Sequence, residues 1–173
     1  MRAFYSVFAV LALATILFIS FRTRSIRNMK LPHNEHFDPI TASEAVGRLR
    51  QSPEREILFA VSNGFWDNDS DFDEIYAAYD RYYEERLKEF SHLLGTPLFA
   101  GHCMQDSYPV FAIGERVAVW GTGDEAIYLR LHHEDREVGI VVSLLSPKSP
   151  ESNLEPKSIY EEIRKFERQR RKP

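Results

Sequence analysis

The residues best suited to chemistry are histidines and acids that cluster at four places along the chain. The densest cluster is His132-His133-Glu134-Asp135. On a strand, His132 and His133 point to opposite faces, so the two cannot bind one ion. The i, i+4 helical spacing of a zinc protease is also missing. The sequence therefore favours a polar hairpin turn at this point.

Two other histidine clusters are weaker. His102 precedes the single cysteine, Cys103, and the pair raises the idea of an activated thiol. Neighbouring side chains of an extended segment diverge, and no base or oxyanion-binding context is visible, so we expect a buried or bystander cysteine. His33 and His36 could bind a metal on a helix, but the flanking prolines oppose a helix.

The fourth cluster, Asp67, Asp69 and Asp71, imitates the first three ligand positions of a calcium loop. Phe72 stands where such a loop needs a glycine, and Ala78 stands where it needs a bidentate glutamate. Acids also gather before helices because the free N–H groups and the dipole favour negative charge. We therefore expect no metal and no cofactor.

Two aromatic residues, Phe65 and Trp66, stand beside these aspartates in a polar loop from Asn63 to Asp71. An aromatic anchor within a charged rim is typical of a protein-binding surface. The predicted partner-binding residues are Phe65, Trp66, Asp67, Asp69 and Asp71. The alternative is that Trp66 covers an edge of the core.

The charge distribution indicates the class of partner. Residues 31–163 carry 11 basic and 25 acidic groups, a formal charge of −14, whereas both ends of the chain are basic. An acidic body repels nucleic-acid phosphates and attracts cationic molecules. We therefore expect a basic protein partner and no nucleic acid. The alternative is that the acidity only keeps the protein soluble.

The leader predicts a membrane location. Ala3 to Phe21 is a run of 19 uncharged, mostly apolar residues. As a helix it would span roughly 28 Å, close to the hydrocarbon thickness of a bilayer. We predict a single-pass anchor formed by residues 3–21. A signal peptide cleaved at Ala12-Leu13-Ala14 is the alternative, but cleavage there would leave apolar residues at the new N-terminus.

The flanks of the leader predict its orientation. Four basic residues follow it, whereas only Arg2 and the terminal amine precede it; the four are Arg22, Arg24, Arg27 and Lys30. The positive-inside tendency therefore places the domain in the cytoplasm, although a short leader can also insert the other way. Anionic lipid would attract the basic C-terminal tail there. A solvated helix end is the alternative explanation of that tail.

The element that organises the domain is the stretch from Phe72 to Leu94. Its apolar residues recur at spacings of three and four, which predicts one face of a long helix. They are Phe72, Ile75, Tyr76, Tyr79, Tyr83, Leu87, Phe90 and Leu94. Gly95-Thr96-Pro97 ends the helix. A capping box, Thr41-Ala-Ser-Glu44, predicts a short helix to about Gln51.

Period-two patterns and turn residues predict strands, which together with the helices give an α+β fold. Glu56 to Ser62 forms a short buried strand. A meander of about five strands follows the long helix, over Leu98 to Gly101, Tyr108 to Ile113, Arg116 to Trp120, Glu125 to His132 and Val138 to Leu145. Ile127, Leu129 and Leu131 should face the long helix, while Tyr128, Arg130 and His132 are left for solvent or a partner.

The predicted organisation has five parts. An anchor with a basic flank (1–30) and a linker (31–40) precede the α+β domain (41–146). A second linker rich in Ser and Pro (147–156) and a C-terminal helix with a basic tail (157–173) follow it.

Several of these features carry a resemblance. They are the end of the long helix at Leu94-Gly95-Thr96-Pro97, then Trp120-Gly-Thr-Gly-Asp124, Ile127-Tyr128-Leu129 and His132-His133-Glu134-Asp135-Arg136-Glu137. With these features the sequence resembles small bacterial α+β domains, some of them similar to immunity proteins of toxin systems. The resemblance covers about residues 72–145. It implies a non-enzymatic binding function.

Three functions are open at this point. The first is a membrane-anchored, non-enzymatic module, possibly immunity-like, whose acidic surface binds a basic protein. The second is an enzyme or metal-binding protein that uses His102, Asp106, His132 or Glu134, although no catalytic motif is recognisable. The third is an accessory subunit of a membrane complex, for which the anchor would be needed for binding.

Overall fold

The computed structural model describes the greater part of the predicted domain, namely residues 29–64, 72–105, 108, 114–122, 125–133 and 139–146. The chain divides into two units, Met1–Lys30 and Leu31–Pro173, and every described helix and strand belongs to the second. Within the described residues, no helix is long and apolar enough to cross a membrane. The predicted anchor and the predicted C-terminal helix lie outside them.

The long helix, α2, spans Phe72–Leu94 as the periodicity predicts. It ends at Gly95, whose positive φ of 87° is a backbone conformation that suits glycine at a helix end. The Gly95 carbonyl accepts a hydrogen bond from Trp120 Nε1 at 2.9 Å, which ties the end of the helix to the sheet. The buried face includes Tyr82 and Arg86, which the apolar pattern did not predict.

The short helix, α1, spans Ala42–Gln51 and confirms the predicted capping box. The Thr41 hydroxyl accepts from the Glu44 backbone N–H, and the Glu44 carboxylate accepts from the Thr41 backbone N–H at 2.9 Å. Both bonds satisfy N–H groups that a helix start otherwise leaves unpaired. Val46 and Leu49 lie on the buried side of α1.

Six strands form one antiparallel sheet. They are β1 (Asn34–Phe37), β2 (Glu56–Ser62), β3 (Phe99–His102), β4 (Arg116–Thr122), β5 (Glu125–His132) and β6 (Val141–Leu145). Their spatial order is β1-β2-β6-β5-β4-β3. The predicted sequential pairing is therefore confirmed for β4 to β6. β3 pairs directly with β4, so the predicted strand from Tyr108 to Ile113 does not lie between them; Tyr108 is not in a strand, and residues 109–113 lie outside the described residues. The predicted meander is also incomplete, because β2 pairs with β6 and extends the sheet beyond the meander.

The prediction that residues 31–40 are only a linker is wrong for Asn34–Phe37. These residues form β1, which pairs antiparallel with β2 at the edge of the sheet. Because β1 is short and largely exposed, its sequence lacks the apolar alternation that marks a half-buried strand. Pro32 and Pro39 flank the strand and do not interrupt it, so they mark its ends.

The two faces of the sheet differ from the prediction in one respect. Ile127, Leu129 and Leu131 are fully buried on the face that packs on α2, as predicted. The opposite face was expected to meet solvent or a partner, but Tyr128 is only 5% exposed there. It belongs to a second buried cluster with Phe99, Val117, Val119 and Ala126.

Gly139 sits where the chain enters β6 and lies against the end of β2. A Cβ at this position would lie 1.7 Å from the Ser62 carbonyl oxygen, which is backbone and cannot rotate away. The contact is fixed by two hydrogen bonds between Ser62 and Ile140, at 2.8 and 2.9 Å. Gly139 is therefore required for the close approach of the two chain segments.

We expect Gly139→Ala to destabilise the domain by about 3 kcal/mol, at the upper end for overpacking, because two backbones must separate. The free energy of unfolding in urea measures this. The control is Gly47→Ala in α1, where a Cβ would meet nothing within 4 Å. That change should stabilise the domain by about 0.5–1 kcal/mol. Equal stability of the two variants would contradict the prediction.

Candidate functional site

A cleft of about 500 Å³ lies between α2 and the edge of the sheet formed by β3 and β4. Its side chains come from three segments that are distant in the sequence. They are Tyr76, Asp80 and Leu87 of α2, Ala100, Gly101 and His102 of β3, Gln105 of the following turn, and Arg116 of β4. The spacing of Tyr76, Asp80 and Leu87 along one side of the helix brings them to a common wall.

The charged centre of the cleft is Arg116, whose guanidinium is held by two carboxylates. Nη1 donates to Asp80 Oδ1, and Nη2 donates to Glu84 Oε1. The guanidinium carbon also lies 4.8 Å from the centre of the Tyr83 ring, within cation–π range. Burial works against the charge of Arg116, but the hydrogen bonds to Asp80 and Glu84 outweigh burial and raise its pKa. Arg116 therefore stays charged, and its guanidinium is already paired with Asp80 and Glu84.

A third carboxylate, Glu115, adjoins the cleft through Tyr76. Burial raises the pKa of the Tyr76 hydroxyl above its ordinary value, and the hydrogen bond to Glu115 raises it further. The phenol is therefore protonated at neutral pH and donates to Glu115. Asp80 and Arg116 line the cleft and balance each other, while Glu84 and Glu115 adjoin it and bring the formal charge of these four residues to −2.

His102 lines the cleft, and Cys103 follows it in the next turn. The Met104 backbone N–H donates to His102 Nδ1 at 3.3 Å, and Cys103 Sγ lies 3.6 Å from the same nitrogen. Cys103 is exposed, so of the two expectations, a buried or a bystander cysteine, the buried one is wrong. The turn that holds His102 is built by local hydrogen bonds, including Gln105 N–H to the His102 carbonyl at 3.0 Å.

Two of the four residues of the predicted enzyme alternative are described, and the sheet separates them. His102 pairs with Arg116, and Arg116 pairs with Leu131, so these three side chains lie on one face. His132 follows Leu131 and points to the opposite face. Asp106 and Glu134 lie outside the described residues. Among the residues that the structure describes, no three histidines, cysteines or acids are grouped as metal ligands.

The predicted contact residues, Phe65, Trp66, Asp67, Asp69 and Asp71, all lie outside the described part of the chain. Asp71 directly precedes Phe72, the first residue of α2, and Tyr76 follows one turn later on the wall of the cleft. The cleft itself was not predicted, because its lining residues are separated by up to 40 positions and share no motif.

A second polar feature, the Arg86 network, lies in the core and was also missed. Arg86 is fully buried and donates from Nη1 to the Ile40 carbonyl at 2.8 Å and to Glu89 Oε2 at 2.7 Å. Its guanidinium carbon lies 3.9 Å from the centre of the Phe59 ring. The other oxygen of Glu89 accepts from the Ala42 backbone N–H at 2.8 Å. The network therefore joins α2 to the start of α1.

Burial lowers the pKa of Arg86, while Tyr82 and Glu89 act in the opposite sense. The Arg86 network connects core elements, and none of its residues lines the cleft beside β3. We therefore assign it to stability and assign the candidate binding site to the cleft.

Comparison of the chain with protein-family models, curated proteins and solved structures finds no match. The resemblance to immunity-like domains stays a prediction.

Proposed function

We propose that this protein is a non-enzymatic binding module whose acidic surface recognises a basic protein partner, held at a membrane by residues 3–21. An immunity-like role is the most specific form of the proposal. The observation that supports it is the formal charge of −14 over residues 31–163, to which Asp80 and Glu84 contribute beside the cleft, where they share one arginine, Arg116. A body with this excess of negative charge attracts cations and repels anions.

The position of the cleft supports an interaction with a macromolecule. It lies beside β3, the last strand in the order of the described sheet, and Ala100 of this strand is exposed. The predicted contact loop joins α2 within one turn of Tyr76. The aromatic and acidic residues of the loop directly precede α2 in the sequence, and a single partner that engages both the loop and the cleft is part of the proposal. The apolar anchor and charged rim that the loop sequence predicts are typical of specific protein interfaces.

The proposal predicts that reversing the loop charges abolishes partner capture. In the full-length protein, Asp67→Lys/Asp69→Lys/Asp71→Lys should reduce co-purification of the basic partner from its native membrane by at least about tenfold, because like charges then face each other across the interface. The measurement is quantitative identification of the proteins that accompany the anchored protein.

The matched control reverses three other acids, Glu35, Glu54 and Glu151. Glu35 and Glu54 are exposed residues of the described domain, and Glu151 belongs to the predicted linker. This variant has the same net charge but should retain at least half of the capture. Circular dichroism of both variants should match the unmodified protein. If both variants lose partner capture equally, the effect is one of overall charge. If neither variant loses capture, the loop is not part of the interface. Each result contradicts the proposal.

A further inference from the structure

The free edge of β3 carries backbone groups that the described sheet does not use. β3 is the last strand in the sheet order and pairs with β4 on one side. The Cys103 N–H donates to the Glu115 carbonyl at 2.8 Å, and residues that bond to a neighbouring antiparallel strand alternate with residues that point away from it. Ala100 and His102 therefore point their N–H groups away from β4. The His102 carbonyl accepts from Gln105, which leaves the His102 N–H and both backbone groups of Ala100 for a further strand.

The opposite edge of the sheet, formed by β1, is protected against such pairing. Glu35 places a charge on this short, exposed strand, and the register with β2 shifts between Asn34 and His36. Pro32 and Pro39 flank the strand. Charge, irregular register and proline are the usual means of keeping an edge from pairing with another chain. β3 has none of them, because its residues are Phe-Ala-Gly-His and its register with β4 is continuous.

The cleft beside β3 has room for the side chains of an added strand. Residues directly opposite each other in a ladder direct their side chains to the same face. A residue that pairs with Ala100 therefore directs its side chain into the cleft of about 500 Å³, where Leu87 and the Tyr76 ring provide carbon surface. Asp80 and Arg116 are paired with each other, so the cleft is neutral and suits uncharged side chains.

We infer that the basic partner inserts an extended segment into this cleft, where it adds to β3 as a further antiparallel strand. The inference rests on the proposed function and names how the partner is held. Backbone hydrogen bonds provide the contact, and uncharged side chains at alternate positions enter the cleft. Basic side chains at the positions between them point away from it. A second copy of this chain fits less well, because it brings the same charge of −14 over residues 31–163.

The test is amide NMR of the full-length protein in micelles of an uncharged detergent, with the peptide acetyl-Lys-Val-Lys-Val-Lys-Val-Lys-amide as the probe. The valines of the bound peptide face the cleft, and their backbone groups bond to β3. We expect saturable binding that slows hydrogen exchange of the Ala100 and His102 amides at least about tenfold. The Gly101 amide faces β4 and should change by less than about twofold.

Two N-methylated peptides of equal charge separate backbone pairing from charge attraction. Methylation of the valine nitrogens removes the donors that face β3, so it should weaken binding at least about tenfold. Methylation of the nitrogens of the lysines that follow them alters the far edge of the added strand. The second peptide should bind within about threefold of the unmodified one.

A protein variant carries the test to the partner itself. Ala100→Pro removes the N–H that points away from β4 and therefore keeps the ladder between β3 and β4. It should reduce both peptide binding and partner capture at least about tenfold, whereas Ala100→Ser, which keeps the N–H, should stay within about twofold. Circular dichroism checks that the proline variant folds. The methylated peptides give the answer on the unmodified protein if it does not.

Four outcomes would overturn the inference. They are equal binding of the two methylated peptides, unchanged exchange of the Ala100 and His102 amides, undiminished capture by folded Ala100→Pro, and concentration-dependent protection of these amides without peptide. The last would assign the edge to a second copy of this chain. Undiminished capture by Ala100→Pro that still depends on the 65–71 loop would leave the proposed function in place. Failure of the proposed function appears instead in the loop-reversal experiment, which does not involve the β3 edge.

Discussion

Glu89→Ala is expected to destabilise the domain by about 3–5 kcal/mol, the range for removing one partner of a buried ion pair. The change leaves the guanidinium of Arg86, which is fully buried, with only the Ile40 carbonyl as an acceptor on Nη1. It also removes the acceptor of the Ala42 N–H at the start of α1. The Arg86 guanidinium would stay buried without its carboxylate partner, and the Ala42 N–H would stay buried without its acceptor. The free energy of unfolding in urea measures the loss.

The matched control is Lys88→Ala, one residue away on the same helix. Lys88 forms an ion pair with Glu85 at the same i, i+3 spacing, but its side chain is 47% exposed. Exposed pairs of this kind contribute about 0.2–1 kcal/mol, so the control should change stability little. Losses of similar size in the two variants would contradict the role of the Arg86 network.

A double variant separates the buried charge from the lost hydrogen bonds. Arg86→Met/Glu89→Leu removes both charges and keeps most of the apolar volume, so it should be more stable than Glu89→Ala alone. It should not regain full stability, because the Ala42 N–H still lacks its acceptor. If the double variant is no more stable than Glu89→Ala, the unpaired charge of Arg86 is not the cause of the destabilisation.

The sequence predicted the long helix well because its signals are local and consistent. Apolar spacing defines α2 from Phe72 to Leu94, and Gly95 supplies its C-terminal signal. Arg86 lies on the buried face of the same helix but counts as polar in any pattern. Only the positions of Phe59, from β2, and Ile40, before α1, make its burial possible. Such a residue is recognised from tertiary contacts and not from periodicity.

The candidate site could not be predicted from the sequence for the same reason, because it is formed by tertiary contacts. Asp80 and Arg116 meet because β4 pairs with β3 and lies under α2, and neither residue belongs to a motif. The sequence did predict the acidic charge of the body and the apolar face of β5, since these follow from composition and alternation. It missed β1, which is short and exposed and takes its conformation from pairing with β2.

Alkaline unfolding is expected to begin near pH 10 and to be complete before pH 12, because three tyrosines of α2 are buried. Tyr79, Tyr82 and Tyr83 are at most 1% exposed, and within the described residues their hydroxyls have no hydrogen-bond partner. Burial raises the pKa of all three hydroxyls. The pKa of Tyr82 rises to about 12, because the positive charge of Arg86 opposes part of the effect of burial. In the unfolded chain each ionises near its ordinary pKa of about 10.

The direction in which stability changes with pH follows from the number of protons that the folded and unfolded states bind. Above pH 10 the unfolded state releases these protons first and the folded state retains them, so stability falls as pH rises from about 10 toward 12. Below pH 10 both states keep the protons, and this contribution is fully present. At pH 11 the three tyrosines together should cost on the order of 4 kcal/mol, a large share of the stability of a small domain.

Tyrosinate absorbance and far-ultraviolet circular dichroism, followed through the same pH titration, measure this effect. The buried tyrosines should ionise in one cooperative step that coincides with the loss of helix signal. Tyr82→Phe removes a hydroxyl that lacks a partner, so it should move the midpoint to higher pH without loss of stability at pH 7. Ionisation of all eight tyrosines near pH 10 with unchanged circular dichroism would show that α2 does not bury its aromatic face against the sheet.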